Sequence, residues 1–281
     1  MKNPNDPKLK VMTAQNPIGV FDSGVGGLTV VSAIRKLLPS ENVFYLGDTA
    51  RVPYGGKSRT TIERYSTEIS ELLLAEHAKV IVVACNTASA LALPRLKTEC
   101  KVPVLGVIAP GAEAAVRSTK NGVIGVIGTK ATIASGAYEQ AIHALNPNLQ
   151  VKRRACPLLV PLIEEGMLDD PLTDQFLKRY LHPLLEEGID TLVLGCTHYP
   201  LLKQAIQRVV GDNVALVDSA ENCAIAVRDL LEKNDAFGSG EQRGQLQVAL
   251  TDAADGFLHV AERALKLDPG EIQLRTVQTA S

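Results

Sequence analysis

The chain contains no tryptophan, and aromatic residues make up only 4% of it. A stacking platform for single-stranded nucleic acid or for sugar rings needs exposed aromatic faces, so the composition argues against both. An excess of one charge is also missing. Twenty-nine basic against 31 acidic residues leave a net charge of −2, which gives no reason to expect a polyanion as partner. Long hydrophobic runs are absent too, and no window approaches the ~20 apolar residues that cross a bilayer. The segment Met1–Asn16 has no apolar stretch longer than Val11-Met12 and carries Pro4 and Pro7, so a flexible arm is expected there rather than a targeting signal. A cytoplasmic protein is expected. The five cysteines, Cys85, Cys100, Cys156, Cys196 and Cys223, are odd in number and include no C-x-x-C pair. That spacing opposes a zinc site and a disulfide framework.

What is present is a large apolar fraction, 46% of 281 residues, enough for one or two domains with a sizeable core. Short, continuously apolar runs alternate with helical patterns. Strands are predicted at 18–21, 43–46, 80–84, 104–107, 123–127, 151–153, 191–194 and 215–217. Helices are predicted at 28–38, 60–77, 88–100, 173–187, 201–210 and 221–233, and one more strand and helix at 247–250 and 256–265. Such alternation predicts parallel sheets covered on both faces.

Two of the cysteines sit in near-copies of one another. In Val80-Ile81-Val82-Val83-Ala84-Cys85-Asn86-Thr87 and Thr191-Leu192-Val193-Leu194-Gly195-Cys196-Thr197-His198 an apolar strand ends, a cysteine follows, and polar residues open a helix. Ligands and catalytic groups collect at that carboxyl edge of a parallel sheet. A thiol at a helix N-terminus faces oriented N–H groups, which favours the thiolate at both positions. The duplication extends further. Ile18-Gly19-Val20-Phe21-Asp22-Ser23-Gly24 parallels Ile124-Gly125-Val126-Ile127-Gly128-Thr129-Lys130, and Val104-Leu105 parallels Leu216-Val217. The expected fold is therefore two similar parallel-sheet α/β domains related by pseudo-two-fold symmetry, with the site in the cleft between them. The expected boundaries are an arm over 1–16, a first domain over 17–108 plus 221–281, and a second over 109–220.

Other signals are weaker. Gly55-Gly56-Lys57-Ser58 resembles the end of a P-loop, but Arg51 stands where the first glycine belongs, which argues against nucleotide binding. Gly24-x-Gly26-Gly27 is a near miss to the dinucleotide fingerprint and reads either as a tight strand-to-helix turn or as a cradle for a carboxylate. Cys100, Cys156 and Cys223 are expected to be small buried hydrophobes, because none follows an apolar strand into a polar helix start. His198 either satisfies a helix N-terminus or orients and deprotonates the nearby thiol. Asp22 is either an N-cap or an acceptor tuning a thiol. Glu164 and Glu165, from their residues alone, read as solvated loop charges.

Five blocks then converge on a family. Phe21-Asp22-Ser23-Gly24-Val25-Gly26-Gly27, Asp48-Thr49-Ala50-Arg51-Val52-Pro53-Tyr54-Gly55, Ala84-Cys85-Asn86-Thr87-Ala88-Ser89, Cys156-Pro157-Leu158-Leu159-Val160-Pro161-Leu162-Ile163-Glu164 and Gly195-Cys196-Thr197-His198-Tyr199-Pro200-Leu201-Leu202 together resemble the glutamate racemases of bacterial cell-wall synthesis, members of the cofactor-independent Asp/Glu racemase family. The resemblance runs from about Ile18 to the tail helix. The arm before Asn16 and part of 234–244 fall outside it, and 251–257 follow it only loosely.

The resemblance implies interconversion of L- and D-glutamate by two cysteines on opposite faces of the α-carbon. The thiolate at Cys85 takes the proton of D-glutamate, and that at Cys196 the proton of L-glutamate. Inversion by proton exchange needs a base on one side and an acid on the other, and a thiol serves as either when its pKa lies near the working pH. By the same resemblance Asp22 assists Cys85, while His198 and Glu164 serve Cys196. Asp22, Ser23, Tyr54, Gly55, Asn86, Thr87, Thr197 and His198 hold the substrate, largely through neutral donors. Neither a metal nor pyridoxal phosphate is required. The implied partners are glutamate, a cell-wall precursor as activator and a second copy in a homodimer, with no direct contact to nucleic acid or membrane. Two alternatives stay open: an aspartate or related amino-acid racemase, and a non-enzymatic role as an inhibitor of DNA gyrase. Retention of both cysteines favours an enzyme.

Overall fold

The computed structural model describes residues 13–238, 243–252 and 269–277. The chain runs β1 (Ile18–Asp22), α1 (Leu28–Leu37), β2 (Val43–Gly47), α2 (Arg59–Ala75), β3 (Val80–Val83), α3 (Asn86–Leu91), α4 (Leu93–Glu99), β4 (Val104–Gly106) and α5 (Ile108–Ser118). It continues through β5 (Val123–Gly128), α6 (Lys130–Ser135), α7 (Ala137–Leu145), β6 (Gln150–Ala155), α8 (Leu159–Glu164), α9 (Pro171–Glu186), β7 (Thr191–Gly195), α10 (Lys203–Val210), β8 (Ala215–Asp218), α11 (Ser219–Asn234), β9 (Leu246–Leu250) and β10 (Ile272–Leu274).

Two sheets result, one ordered β10-β9-β2-β1-β3-β4 and the other β6-β5-β7-β8, and every pairing among the described residues is parallel. The order β2-β1-β3-β4 repeats as β6-β5-β7-β8, so the duplication read from the sequence is a duplication of topology. Every residue of β1, β2, β3 and β7 is buried, as expected of central strands covered on both faces. Among the described residues the edge strand β6 pairs only with β5, and it tolerates Lys152, Arg153 and Arg154.

Two differences from the sequence reading have local causes, and a third does not. The helix expected over 88–100 is two helices: Pro94 supplies no backbone N–H, so α3 ends and α4 restarts around Ala92. Pro110 and Gly111 hid α5 from periodicity, although it is a regular helix of 11 residues. Strand β10 pairs with β9 beyond it and was not anticipated. The helix expected over 256–265 lies outside the described residues.

Of the expected arm, residues 1–12 also lie outside the described residues, and its last residues are tied to the core. Lys79, fully buried at the start of β3, donates from Nζ to Glu41 Oε2 at 2.6 Å, to the Ala14 carbonyl at 2.9 Å and to the Ala236 carbonyl at 2.9 Å. The Gln15 carbonyl accepts from Asn42 Nδ2 at 3.1 Å. A buried ammonium needs such a complete set of acceptors to offset its lost hydration.

Candidate active site

The carboxyl ends of the two sheets meet at one cavity of about 290 Å³. Its lining brings together Ser23, Tyr54, Gly55, Cys85, Asn86, Thr87, Glu164, Cys196, Thr197 and His198, the sequence candidates apart from Asp22. The two cysteines arrive from equivalent places, Cys85 just beyond β3 and Cys196 just beyond β7, each buried.

Their surroundings differ. The Cys85 thiol lies 3.8 Å from the Ser23 hydroxyl, and its sulfur caps α3 by accepting from the Ala88 N–H at 3.5 Å. Burial, followed by the negative charge of Asp22, nevertheless pushes the Cys85 thiol well above the ordinary thiol range. The expectation that a helix N-terminus favours the thiolate is therefore corrected at Cys85. One N–H contact on a short helix is outweighed by desolvation and a neighbouring carboxylate. Cys196 sits 3.8 Å from His198 Nδ1, and His198 Nε2 sits 3.2 Å from Glu164 Oε1. Burial alone would lower the His198 pKa, but its hydrogen bonds to Cys196 and Glu164, with the charges of Cys196 and Asp22, raise it to about 10. A protonated imidazole so placed donates at both nitrogens, one toward the sulfur and one toward the carboxylate. Both glutamates are exposed, but Glu164 bonds His198 and lines the cavity and so is more than the solvated charge its residues suggested, whereas Glu165 is absent from the lining.

Asp22 lies beneath the cavity rather than in its lining. Its Oδ2 accepts from the Gly24 N–H at 3.1 Å and the Gly27 N–H at 3.0 Å, and Oδ1 is 3.4 Å from the Thr197 hydroxyl. The glycine cluster is therefore a tight turn closed by the protein's own carboxylate. Gly26 is required there by close approach: a Cβ at this position would lie 2.4 Å from Thr197 Oγ1 and 2.5 Å from His198 Nδ1. Gly55 is pressed in the same way against Thr129, whose Cβ would be 2.7 Å from the added atom. The P-loop look-alike resolves into Gly55 and Gly56 in the cavity wall and Ser58 capping α2 through the Thr61 N–H.

More contacts join the two sheets around the cavity. The Thr87 hydroxyl lies 3.0 Å from that of Thr129 and 3.2 Å from that of Thr132, and the Tyr138 hydroxyl donates to Asn86 Oδ1 at 2.7 Å. Asn86 Nδ2 is buried with no partner among the described residues, a donor available to a ligand in the cavity that Asn86 lines. Among the described residues no group of three or more His, Cys, Asp or Glu is placed to hold a metal ion. No described helix is long and apolar enough to cross a membrane.

Several lining residues escaped the sequence reading, among them Val52, Pro53, Thr129, Lys130, Cys156 and Val160. Thr129 was findable, since the duplication places it opposite Ser23. Cys156 is a buried core thiol as expected, and it also lines the cavity, where burial pushes it up to about 12. Lys130 adds a cation to a lining expected to act largely through neutral donors.

Paired thiols in one cavity at the meeting edges of two parallel sheets place the protein among two-sheet α/β proteins with a candidate active site between the sheets. Residues 23–227 match the Asp/Glu/hydantoin racemase family. The chain is 49% identical over 255 residues to a glutamate racemase of Geobacter metallireducens, an alignment covering 91% of this chain and 94% of that one. The crystal structure of glutamate racemase from Francisella tularensis in complex with D-glutamate superposes with a TM-score of 0.88 at 34% identity, covering 95% of this chain and 100% of that one. The Escherichia coli glutamate racemase in complex with L-glutamate and the activator UDP-MurNAc-Ala gives a TM-score of 0.76 at 31% identity, covering 94% and 99%. The chain belongs to the Asp/Glu/hydantoin racemase family and is an isomerase.

Proposed function

We propose that this enzyme interconverts L- and D-glutamate by two-base proton exchange between Cys196 and Cys85, supplying D-glutamate for cell-wall peptidoglycan in the cytoplasm. The observation that carries the reading is the unequal pairing of two thiols in one cavity: Cys85 against a hydroxyl, Cys196 against an imidazole–carboxylate pair. The Cys196 thiolate, charge-balanced by protonated His198, removes the α-proton of L-glutamate. The Cys85 thiol delivers its proton to the opposite face, and D-glutamate leaves. The reverse reaction exchanges the two roles, as microscopic reversibility demands.

The α-proton is very weakly acidic, so negative charge developing on the α-carbon and its carboxylate has to meet preorganised donors in a dry site. The unpartnered Asn86 Nδ2 and the hydroxyls of Ser23 and Thr87 supply them, with Thr197, Tyr54 and Gly55 closing the wall. Asp22 acts from behind that wall, holding the Ser23–Gly27 turn and Thr197. A cavity of about 290 Å³ is at the small end of ligand sites and suits one small metabolite.

Circular dichroism of L- and D-glutamate incubated with dialysed protein, with L-aspartate in parallel, tests the reading. Loss of the glutamate signal to zero is expected, and faster turnover of aspartate would reassign the substrate. The Escherichia coli complex supports adding a peptidoglycan precursor to the same assay as an activator, and sedimentation would report a homodimer.

A further inference from the structure

The match to the family model ends at residue 227, yet a residue beyond it is hydrogen-bonded to the segment that leads into the wall of the cavity. Strand β9 adds to the edge of β2 in parallel register, pairing Gly47 with Leu250, which brings Thr251 beside the segment that follows β2. There the Thr251 hydroxyl donates to Asp48 Oδ1 at 2.9 Å and accepts from the Ala50 N–H at 2.9 Å. A second clasp beside it joins the Thr49 hydroxyl to Asp252, with Thr49 Oγ1 to the Asp252 carbonyl at 2.8 Å and the Asp252 N–H to Thr49 Oγ1 at 2.9 Å.

Asp48 is fully buried and is the hub of this region. It accepts from Arg51 Nε at 3.0 and 2.7 Å, and its Oδ2 also accepts the Tyr54 hydroxyl proton. Arg51 in turn bonds Glu68 on α2 and lies over the Tyr65 ring, 4.0 Å from its centroid. Burial and the Asp48 charge keep the Tyr54 hydroxyl protonated, so its role toward Asp48 is that of donor. Tyr54 and its neighbours Val52, Pro53, Gly55 and Gly56 are one wall of the cavity. The path is short: Thr251 to Asp48, Asp48 to Tyr54, Tyr54 to the cavity.

We propose that Thr251 is a positioning residue for the racemase site, fixing the Asp48 carboxylate so that Tyr54 and the Val52–Gly56 wall are set for the substrate. The inference rests on the glutamate racemase reading for its kinetic consequence and on the hydrogen-bond network for its structural one. The segment after β9 thereby braces one wall of the substrate cavity from outside it, as well as extending a sheet.

The test compares Thr251→Val, which keeps the shape and removes the hydroxyl, with Thr251→Ser, which keeps the hydroxyl. Thr251→Val is expected to raise KM for glutamate about fivefold with kcat nearly unchanged, the scale of one neutral hydrogen bond. Thr251→Ser should restore wild-type KM. In a Tyr54→Phe background, Thr251→Val should add no further rise, because the chain of bonds is already cut. Hydrogen exchange in peptides spanning 49–57 should quicken in Thr251→Val and not in Thr251→Ser. A lowered melting temperature with unchanged KM and unchanged exchange overturns the proposal, as do additive losses in the double variant. If the wild-type enzyme turned over no glutamate, the functional reading would fail while the exchange comparison still decided the brace.

Discussion

His198 and Gly26 touch across the two sheets: an added Cβ on Gly26 would lie 2.5 Å from His198 Nδ1, the nitrogen that faces the Cys196 sulfur at 3.8 Å. A turn at the end of one sheet therefore buttresses the imidazole that serves the thiol of the other. Gly26→Ala is expected to displace His198 and lower kcat/KM about tenfold to a hundredfold. The loss must be equal for both enantiomers, because the equilibrium constant of a racemisation is unity. Steady-state kinetics in both directions checks it, and a fully active variant would show that the contact relaxes at no cost to the site.

Each thiol serves one face in the proposed reaction, so Cys85→Ser and Cys196→Ser should each lower racemisation about a thousandfold or more while the far-ultraviolet spectrum stays that of the wild type. In deuterated water the wild-type enzyme should place deuterium at the α-carbon of the product enantiomer, with the remaining substrate initially unlabelled. Early label in the substrate pool would point to a single base.

The raised pKa of His198 also has a consequence for stability. The group is protonated in the folded chain up to about pH 10 and in the unfolded chain only up to about 6.5. Its contribution is therefore fully present below pH 6.5 and is lost as pH rises through about 10. The pH-dependent part of the melting-temperature gap between the wild type and His198→Asn should be widest at the acid end and shrink toward pH 10. A gap that grew with pH would reverse the assignment of charge.

Lys79→Met should destabilise the fold by about 3–5 kcal/mol, since it leaves the Glu41 carboxylate buried without its counter-charge. Adding Glu41→Gln should recover part of the loss. Urea unfolding of the single and double variants measures both. A neutral Lys79→Met would mean that the Glu41 carboxylate finds water or another partner when the ammonium is gone.

Much of this was legible before any coordinates. Apolar runs at 18–21, 80–84, 123–127 and 191–194 are buried strands because continuous Val, Ile and Leu suit only a parallel sheet covered on both faces, and the repeated Cys-polar-polar ending marked where the two sheets would present their thiols. Those facts are local, carried by neighbours in the chain. The charge state at the thiols is not local. That His198 meets both Cys196 and Glu164, and that Asp22 spends its oxygens on Gly24, Gly27 and Thr197 beneath the cavity, follow from side chains as many as 175 residues apart being brought within hydrogen-bond reach. Burial then decides the rest. The same helix-start sequence context predicted a favoured thiolate at both cysteines, but desolvation and the Asp22 charge keep Cys85 protonated, while an imidazolium stands beside Cys196. The sequence by itself determined the two similar halves and the residues at their edges; only the tertiary structure made those edges chemically unequal, because electrostatic free energy depends on the distance between groups and on the water excluded from around them.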